Sequence, residues 1–428
     1  MNVKTTRTLG KLITLSLITS TMIHATNGDN LISVGAKARG MGGTGIAVSH
    51  GAESGLSNAA MITSVEGTEI GFGGTIFMPD IKTTITGFDP GFGVNFTDPK
   101  FTSDADLNMI PSVSIAHKID DNWYIGVGMW GTAGMGTDYS KATGGGLNNL
   151  NMVTNLQLMQ FAVPIAYKTG GLSLSVTPVV QYGNLDINYN MAAMVGSPTP
   201  VNVGAGLAQD FGFGWNLGIA YDFTADGVEG LTLGALYKSS IEMTYDNQLS
   251  SATQPFANMG LFGGQPMADD LEQPEEYGVG IAYEMQGHTF AFDYKKIKWS
   301  DTKGYGDFGW DDSDVYAFGY AYTENEWTVR LGYNYASSAV VEIPGANMDP
   351  NAAALNMFNL LGFPATQEKH YTVGASYEVT KAFSVDLAYV YAPKNTETFD
   401  LSGLFGPGAN ISNNHSETGI SFQLAYKF

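Results

Sequence analysis

Two cations are the first residues in this chain that could act on a small molecule. Arg330 lies between the apolar residues Val329 and Leu331, and Lys238 stands in the run Leu236-Tyr237-Lys238-Ser239. In an alternating segment each points away from its oily neighbours, into a partly dry interior. There a guanidinium or ammonium holds a carboxylate by a charge-assisted hydrogen bond. Asp293, between Phe292 and Tyr294, and Glu242 compete as salt-bridge partners, so both roles stand open for the two cations.

Covalent chemistry has less to rest on. The six His are scattered without an H-E-x-x-H spacing, and no G-x-S-x-G occurs. With no cysteine, thiolate metal sites, Cys nucleophiles and disulfides are removed together. A hydrolase triad assembled in space is the one enzymatic reading left. Gly40, Gly42 and Gly45 match G-x-G-x-x-G literally, yet a dinucleotide fingerprint must follow a strand and open a helix within a βαβ unit, and this stretch does not. No enzyme, cofactor or metal is expected. The formal charge of −21 and pI near 4.5 argue against nucleic acid, which needs a basic footprint.

Period two runs through the chain and sets where such residues would sit. The final residues Ile420, Phe422, Leu424, Tyr426 and Phe428 are large and apolar, and the residues between them are small or polar. Val373, Ala375, Tyr377 and Val379, then Phe383, Val385, Leu387, Tyr389 and Tyr391, repeat the pattern. Charged residues make up only 14% of the chain, against 54 Gly and 12% aromatics. Mean hydropathy is −0.04 and no apolar run of about 18 residues exists, so no transmembrane helix is supported. The chain reads as all-β: a transmembrane antiparallel β-barrel of about fourteen strands. They are expected near 68–87, 104–119, 122–140, 151–169, 172–190, 212–224, 231–248, 275–286, 288–303, 313–324, 327–340, 369–380, 383–400 and 415–428. Short turns such as Asp120-Asp121, Gln286-Gly287 and Asn325-Glu326 alternate with long loops, the turns facing the periplasm and the loops the outside. A secreted β-sandwich does not call for that alternation.

The N-terminus reads as an address. Lys4, Arg7 and Lys11 precede an apolar stretch from Leu12 to Met22 and a cleavage site at Ile23-His24-Ala25, giving a signal peptide over 1–25. Residues 26–67 are rich in Gly, Ala and Ser without strand alternation, and are read as a hatch that plugs the lumen of a barrel over 68–428.

The chain resembles the FadL-type outer-membrane transporters, the FadL/TodX family. The likeness is carried by Gly35 to Ala47, by Ser57-Asn58-Ala59-Ala60-Met61 at the position of the family's Asn-Pro-Ala hatch motif, and by Phe211-Gly212-Phe213-Gly214-Trp215-Asn216. Leu236-Tyr237-Lys238-Ser239, Trp299-Ser300 and Arg330-Leu331-Gly332 extend it. It implies uptake of hydrophobic compounds across the outer membrane of a Gram-negative bacterium, long-chain fatty acids foremost. Monoaromatic or alkane hydrocarbons by the same route, or a non-transporting porin or adhesin barrel, are the alternatives. Asn58 and Ala60 carry over as hatch residues touching the wall, while Ala59 stands where the family has Pro. The resemblance also implies that the terminal Phe428 is read by the barrel assembly machinery, and that substrate leaves sideways through a kink in the third strand.

The residues supply their own hint of such a gap. The third strand holds Gly126, Gly128, Gly131, Gly134 and Gly136, and Pro111 and Pro164 lie in its two neighbours. Strand Gly marks bulges and bends, and Pro cannot donate to the ladder. Gly and Pro that merely curve the barrel are the plainer reading. Three loops are apolar: Met191 and Met194; Phe256, Met259, Leu261 and Phe262; and Leu355, Phe358 and Leu361. They are expected either to capture hydrophobic molecules or to pack together as a lid. The expected partners are a hydrophobic small molecule, outer-membrane lipid and the assembly machinery, with no nucleic acid, and the chain is expected to be a monomer.

Overall fold

The computed structural model describes residues 27–428 except 90–93, 98–99, 143–147 and 193. The proposed signal peptide lies outside the described residues.

Fourteen wall strands close a single antiparallel barrel. They are β1 Thr68–Asp89, β2 Asn108–Lys118, β3 Trp123–Asp138, β4 Val153–Ala162 continued by Ile165–Thr169, β5 Leu172–Asn190, β6 Ala208–Asp222, β7 Leu231–Lys238, β8 Glu276–Met285, β9 His288–Ile297, β10 Ser313–Glu324, β11 Trp327–Ala336, β12 Lys369–Thr380, β13 Phe383–Asp400 and β14 Asn410–Lys427. Sequential neighbours pair, and β1 closes on β14 from Glu69 opposite Lys427 to Thr86 opposite Asn410. The alternation explains the two faces. Ile420, Phe422, Leu424 and Tyr426 of β14 are exposed on the outside while Ser421, Gln423 and Ala425 are buried within. Each large outward side chain that lipid covers contributes roughly 1.5–3 kcal/mol over leaving it in water. β13 and β14, with 18 residues each, run for about 60 Å at about 3.3 Å per residue, twice a hydrocarbon core of about 30 Å. They therefore project past the bilayer at the loop end.

Strand ends shift from the expected ones where alternation outlives regular pairing. Ile241, Met243 and Tyr245 still bury every second side chain, but the backbone there makes only the isolated bridges Ile241 to Gln273 and Thr244 to Asp270. β7 accordingly stops at Lys238, not at 248. β9 ends at Ile297, where a 3₁₀ turn over Trp299–Asp301 follows. β11 ends at Ala336, and β14 begins earlier, at Asn410. Pro164 splits the fourth strand in two, since it cannot donate to the ladder.

Residues 27–67 lie within the ring. Helix α1, Ala36–Gly40, rests on the inner faces of β11 to β14, and 3₁₀ turns at Gly51–Gly55 and Ala59–Ser64 rest on strands from β2 to β6. Glycine sets the close approach. Gly42 adopts φ +68°, and a β-carbon on Gly332 of β11 would fall 2.0 Å from the Gly42 nitrogen. Inward polar residues take up the segment's backbone groups: Gly42 N–H donates to Thr372 Oγ1 at 3.0 Å, Asn334 Nδ2 donates to Gly42 O at 3.0 Å, and Gly45 and Ile46 N–H donate to Asp293 Oδ2 at 2.7 and 3.0 Å. The G-x-G-x-x-G letters thus serve backbone packing against a wall.

Candidate functional site

The wall is interrupted between β2 and β3. Their ladder runs from Lys118 opposite Tyr124 to Ser112 opposite Trp130, and ends there. Pro111 comes next on β2, with no N–H to offer, while β3 shifts register between Gly131 and Ala133 against β4. Closure resumes toward the loops, where Asp104 N–H donates to Asp138 O at 2.9 Å and Asp138 N–H to Ser103 Oγ at 2.9 Å. The window between these limits is occupied from inside. Asn30 bridges Ala133, Leu31 N–H donates to Thr132 O at 3.1 Å, and Gly134 N–H donates to Asp29 O at 3.1 Å. Leu31 buries itself with Phe77 and Ile110. Residues 29–31 therefore act as a short surrogate strand on the edge that β2 leaves free.

The glycines and prolines divide around this window. Gly131 and Gly134 lie at it. Gly126 and Gly128 lie below it in the paired ladder, opposite Ala116 and Ser114. Gly128 leaves room for the Trp130 indole, whose Cη2 would sit 1.8 Å from a β-carbon there, and Gly126 packs beside Pro164. Sequence alone could not separate glycines that open a ladder from those that clear space for a ring.

Asp29 joins this window to the loop-end interior. Its Oδ2 accepts from the Tyr305 hydroxyl and, at 3.1 Å, from Gln273 Nε2. Burial pushes its carboxyl up to about 6, although these two hydrogen bonds pull the other way. Around it stands an aromatic group: Trp299 and Tyr305 with centroids 4.8 Å apart, Trp299 and Trp310 at 5.3 Å, and Tyr305 and Trp310 at 4.7 Å. The Trp299 ring covers Gly28 so closely that a β-carbon there would lie 2.3 Å from Cζ2. Neither Asp29 nor this group was among the residues expected to form the site. The available signals were a lone acidic residue between 26 and 52 and the aromatic spacing of Trp299, Tyr305, Phe308 and Trp310.

The apolar loops form one packed lid. Helix α2, Leu249–Asn258, and helix α3, Pro350–Gly362, meet through Phe256 and Phe358, centroids 5.1 Å apart, and Tyr189 lies against both. Met191, Phe256, Leu261, Phe358 and Leu361 are buried, Met194, Phe262 and Leu355 half-buried against them, and Met259 is exposed. The loops are thus folded onto each other, with no open groove displayed by these residues. The lid is tied to the window strands: Thr137 of β3 donates to Leu361 O at 2.8 Å, and Thr154 of β4 donates to Gly362 O at 2.5 Å.

The two cations stand apart and are both engaged. Lys238 Nζ lies 3.2 Å from Glu276 Oε1, with Lys295 4.0 Å from the same oxygen, and all three line a cavity of about 90 Å³ shared with Leu31 and Thr132. Arg330 donates to Ser376 Oγ, which donates to Asp386. It lines a polar cavity of about 310 Å³ with Lys37, Glu69 and Asp386, bordered by turn-end residues Glu284, Thr323 and Glu378. Asp293 is taken by Gly45 and Ile46, as described above. Asn58 caps the turn Ala59–Ser64 through the Ala60 N–H and donates to Ile46 O at 2.7 Å and to Ile219 O of β6 at 3.2 Å. Ala59 and Ala60 are buried beside it.

Three comparisons bear on this arrangement. Residues 16–428 match the family model described as outer membrane protein transport protein (OMPP1/FadL/TodX). The "47 kDa outer membrane protein" of Pasteurella multocida is 23% identical over 372 residues, 81% of this chain and 82% of that one. The "Long-chain fatty acid transport protein" of Escherichia coli is 25% identical over 366 residues, covering 75% and 79%. Among solved structures, the toluene transporter TodX of P. putida superposes with TM-score 0.64 at 18% identity, covering 93% of this chain and 99% of that one. A Pseudomonas aeruginosa FadL homologue gives 0.64 at 15%, covering 96% and 100%.

Proposed function

The chain belongs to the OMPP1/FadL/TodX family of outer membrane transport proteins, and on that premise we propose that it takes up long-chain fatty acids and releases them sideways into the bilayer through the β2–β3 window. Transport of hydrophobic compounds across the outer membrane, without enzymatic chemistry, is the family's established role. The lateral route and the substrate are the further reading.

One observation carries it. Residues 29–31 fill the window as a detachable strand, held to β3 through the hydrogen bonds of Thr132 and Gly134. A hydrogen bond of this kind contributes only about 0.5–1.5 kcal/mol net, so binding energy from a long apolar chain suffices to displace the segment. The lid's Phe256 and Phe358 would receive the substrate, the lumen's aromatic group would pass it inward, and residues 27–67 would act as the hatch below. The fatty-acid assignment draws on the name of the E. coli relative. Monoaromatic hydrocarbons are the second reading, favoured by the lining Trp299, Tyr305, Phe308 and Trp310.

The test uses the absence of cysteine. Asn30→Cys with Ala133→Cys places a pair at a bridged position, within disulfide reach. Uptake of a fluorescent fatty acid should stop on oxidation and return on reduction. Undiminished uptake by the oxidised protein would sink the lateral route.

A further inference from the structure

On the outer wall, at the loop end of the lipid-facing band, the ladders align one row of side chains. Tyr294 of β9 stands opposite Tyr316 of β10, Tyr316 opposite Tyr335 of β11, and Tyr335 opposite Lys369 of β12. All four point outward, since their chain neighbours Asp293, Val315, Ala336 and His370 are buried within. The row below reads Phe292, Phe318, Tyr333, Tyr371 and Tyr391. Tyrosines at the edge of a barrel's apolar band mark the level of lipid head groups. On β13 the register then shifts between Ala392 and Asn395, which stand opposite the buried Glu417 and His415, so Lys394 is thrown outward in the bulge. Lys369 and Lys394 thus lie on adjacent strands just beyond the Tyr371 and Tyr391 pair. Both are exposed, and among the described residues neither forms an ion pair. Elsewhere on this rim Lys82 is paired with Asp80 and Lys296 with Asp314. Below the lysines the wall carries an apolar groove of about 570 Å³, lined by Phe290, Phe292, Phe318, Tyr320, Leu331 and Tyr333. Tyr333 packs on Tyr371 with centroids 5.3 Å apart, which joins the groove to the strand of Lys369.

We propose that this outer face binds a phosphorylated, acylated glycolipid of the outer leaflet, with its phosphates on Lys369 and Lys394 and an acyl chain in the groove. Charge singles out the pair. The chain carries a formal −21, yet here two lysines stand side by side without a counter-charge. Like charges on neighbouring strands repel, and a phosphate placed between them turns that repulsion into attraction. The acids nearby are turned the other way: Glu397 lies opposite the buried Asn413 and is held by Asn395, and Glu368 shares the inward parity of His370. Basic side chains at head-group level next to apolar wall are the chemistry by which membrane proteins hold anionic lipids. A free phosphate has no use for the groove. A second copy of the chain, related by an axis along the membrane normal, would bring its own lysines to the same level, like charge toward like.

The experiment titrates the purified full-length protein in neutral detergent with lipid A in its bisphosphoryl and monophosphoryl forms, and with inorganic pyrophosphate as competitor. The bisphosphoryl form should bind about tenfold tighter than the monophosphoryl form. Lys369→Gln with Lys394→Gln, both at exposed positions, should reduce that ratio to about twofold or less. Phe318→Ala should weaken both forms about threefold and leave the ratio as it was, because it acts on the chain alone. Lys168→Gln with Lys381→Gln, which removes two turn-end lysines likewise without an ion pair among the described residues, should change neither affinity. Absence of binding, equal affinity for the two forms, or a ratio kept by the Lys369 and Lys394 variant would overturn the site. An equal loss in the turn-end variant would overturn it too, by reducing the effect to net charge. Displacement of the lipid by pyrophosphate would overturn the assignment to a lipid, and a stable dimer that excludes the lipid would give the face to a second copy.

Discussion

Thr137 donates its hydroxyl to the carbonyl of Leu361 at 2.8 Å, so the strand bordering the window directly holds the C-terminal turn of the lid helix α3. The lid and the β2–β3 window are one hydrogen bond apart, and Thr154 to Gly362 repeats the tie from β4. On the proposed lateral route, opening of the lid and of the window would be linked through β3.

Thr137→Val removes that donor and leaves a buried carbonyl unpaired, at about 1–3 kcal/mol. The barrel should assemble normally, because the ladder is untouched. Hydrogen exchange in Pro350–Gly362 should accelerate, and unchanged protection there would mean the tie contributes nothing.

Gly332→Ala drives a methyl into the Gly42 nitrogen. Overpacking of this kind costs about 1–3 kcal/mol, borne by the docking of residues 27–67 more than by the wall. Limited trypsin digestion should then cut at Lys37 or Arg39, both sheltered in the closed form. Resistance equal to the parent protein would show that the wall yields instead.

Arg330→Ala separates a ligand contact from a structural one. Its guanidinium is engaged by Ser376, itself bonded to Asp386, at the turn end and away from the lid. Removing one member of a buried charged network costs several kcal/mol. The melting temperature should fall while fatty-acid affinity stays within about twofold. A large loss of affinity at unchanged stability would reverse the assignment.

Docking of residues 29–31 should depend on pH through Asp29. Its carboxyl is raised to about 6 when docked, from an ordinary 3.8 when released, so the docked form binds the proton more tightly. Stabilisation from this source is complete below about 4, declines as pH rises toward 6 and is gone above it, with a ceiling on the order of 3 kcal/mol. A nitroxide at Ser33 should gain mobility between pH 4 and 7, and Asp29→Asn should flatten the profile. Mobility that falls as pH rises would contradict the sign.

Much of the architecture was legible because a β-barrel writes its rule locally. The period-two pattern around Arg330, with Val329 and Leu331 outside and the cation within, needed no tertiary knowledge. The signal weakened where residues keep alternating but leave the ladder, as at Ile241 to Tyr245. The Gly and Pro around β3 located a weak region, yet not which edge was free, since an opening depends on what pairs across from each residue.

The sequence by itself determined the barrel, its inward and outward faces and the apolar character of its loops, because each follows from side-chain chemistry at short separation. Only the tertiary structure decided that Lys238 and Arg330 are both engaged and far apart, that the lid loops close on each other, and that Asp29 bonds Tyr305 across 276 residues while its backbone completes the edge of β3. Those pairings join loops whose separation in the chain bears no relation to their distance in space. Hydrogen bonds act over about 3 Å whatever that separation, so closing the ring was needed to bring them together.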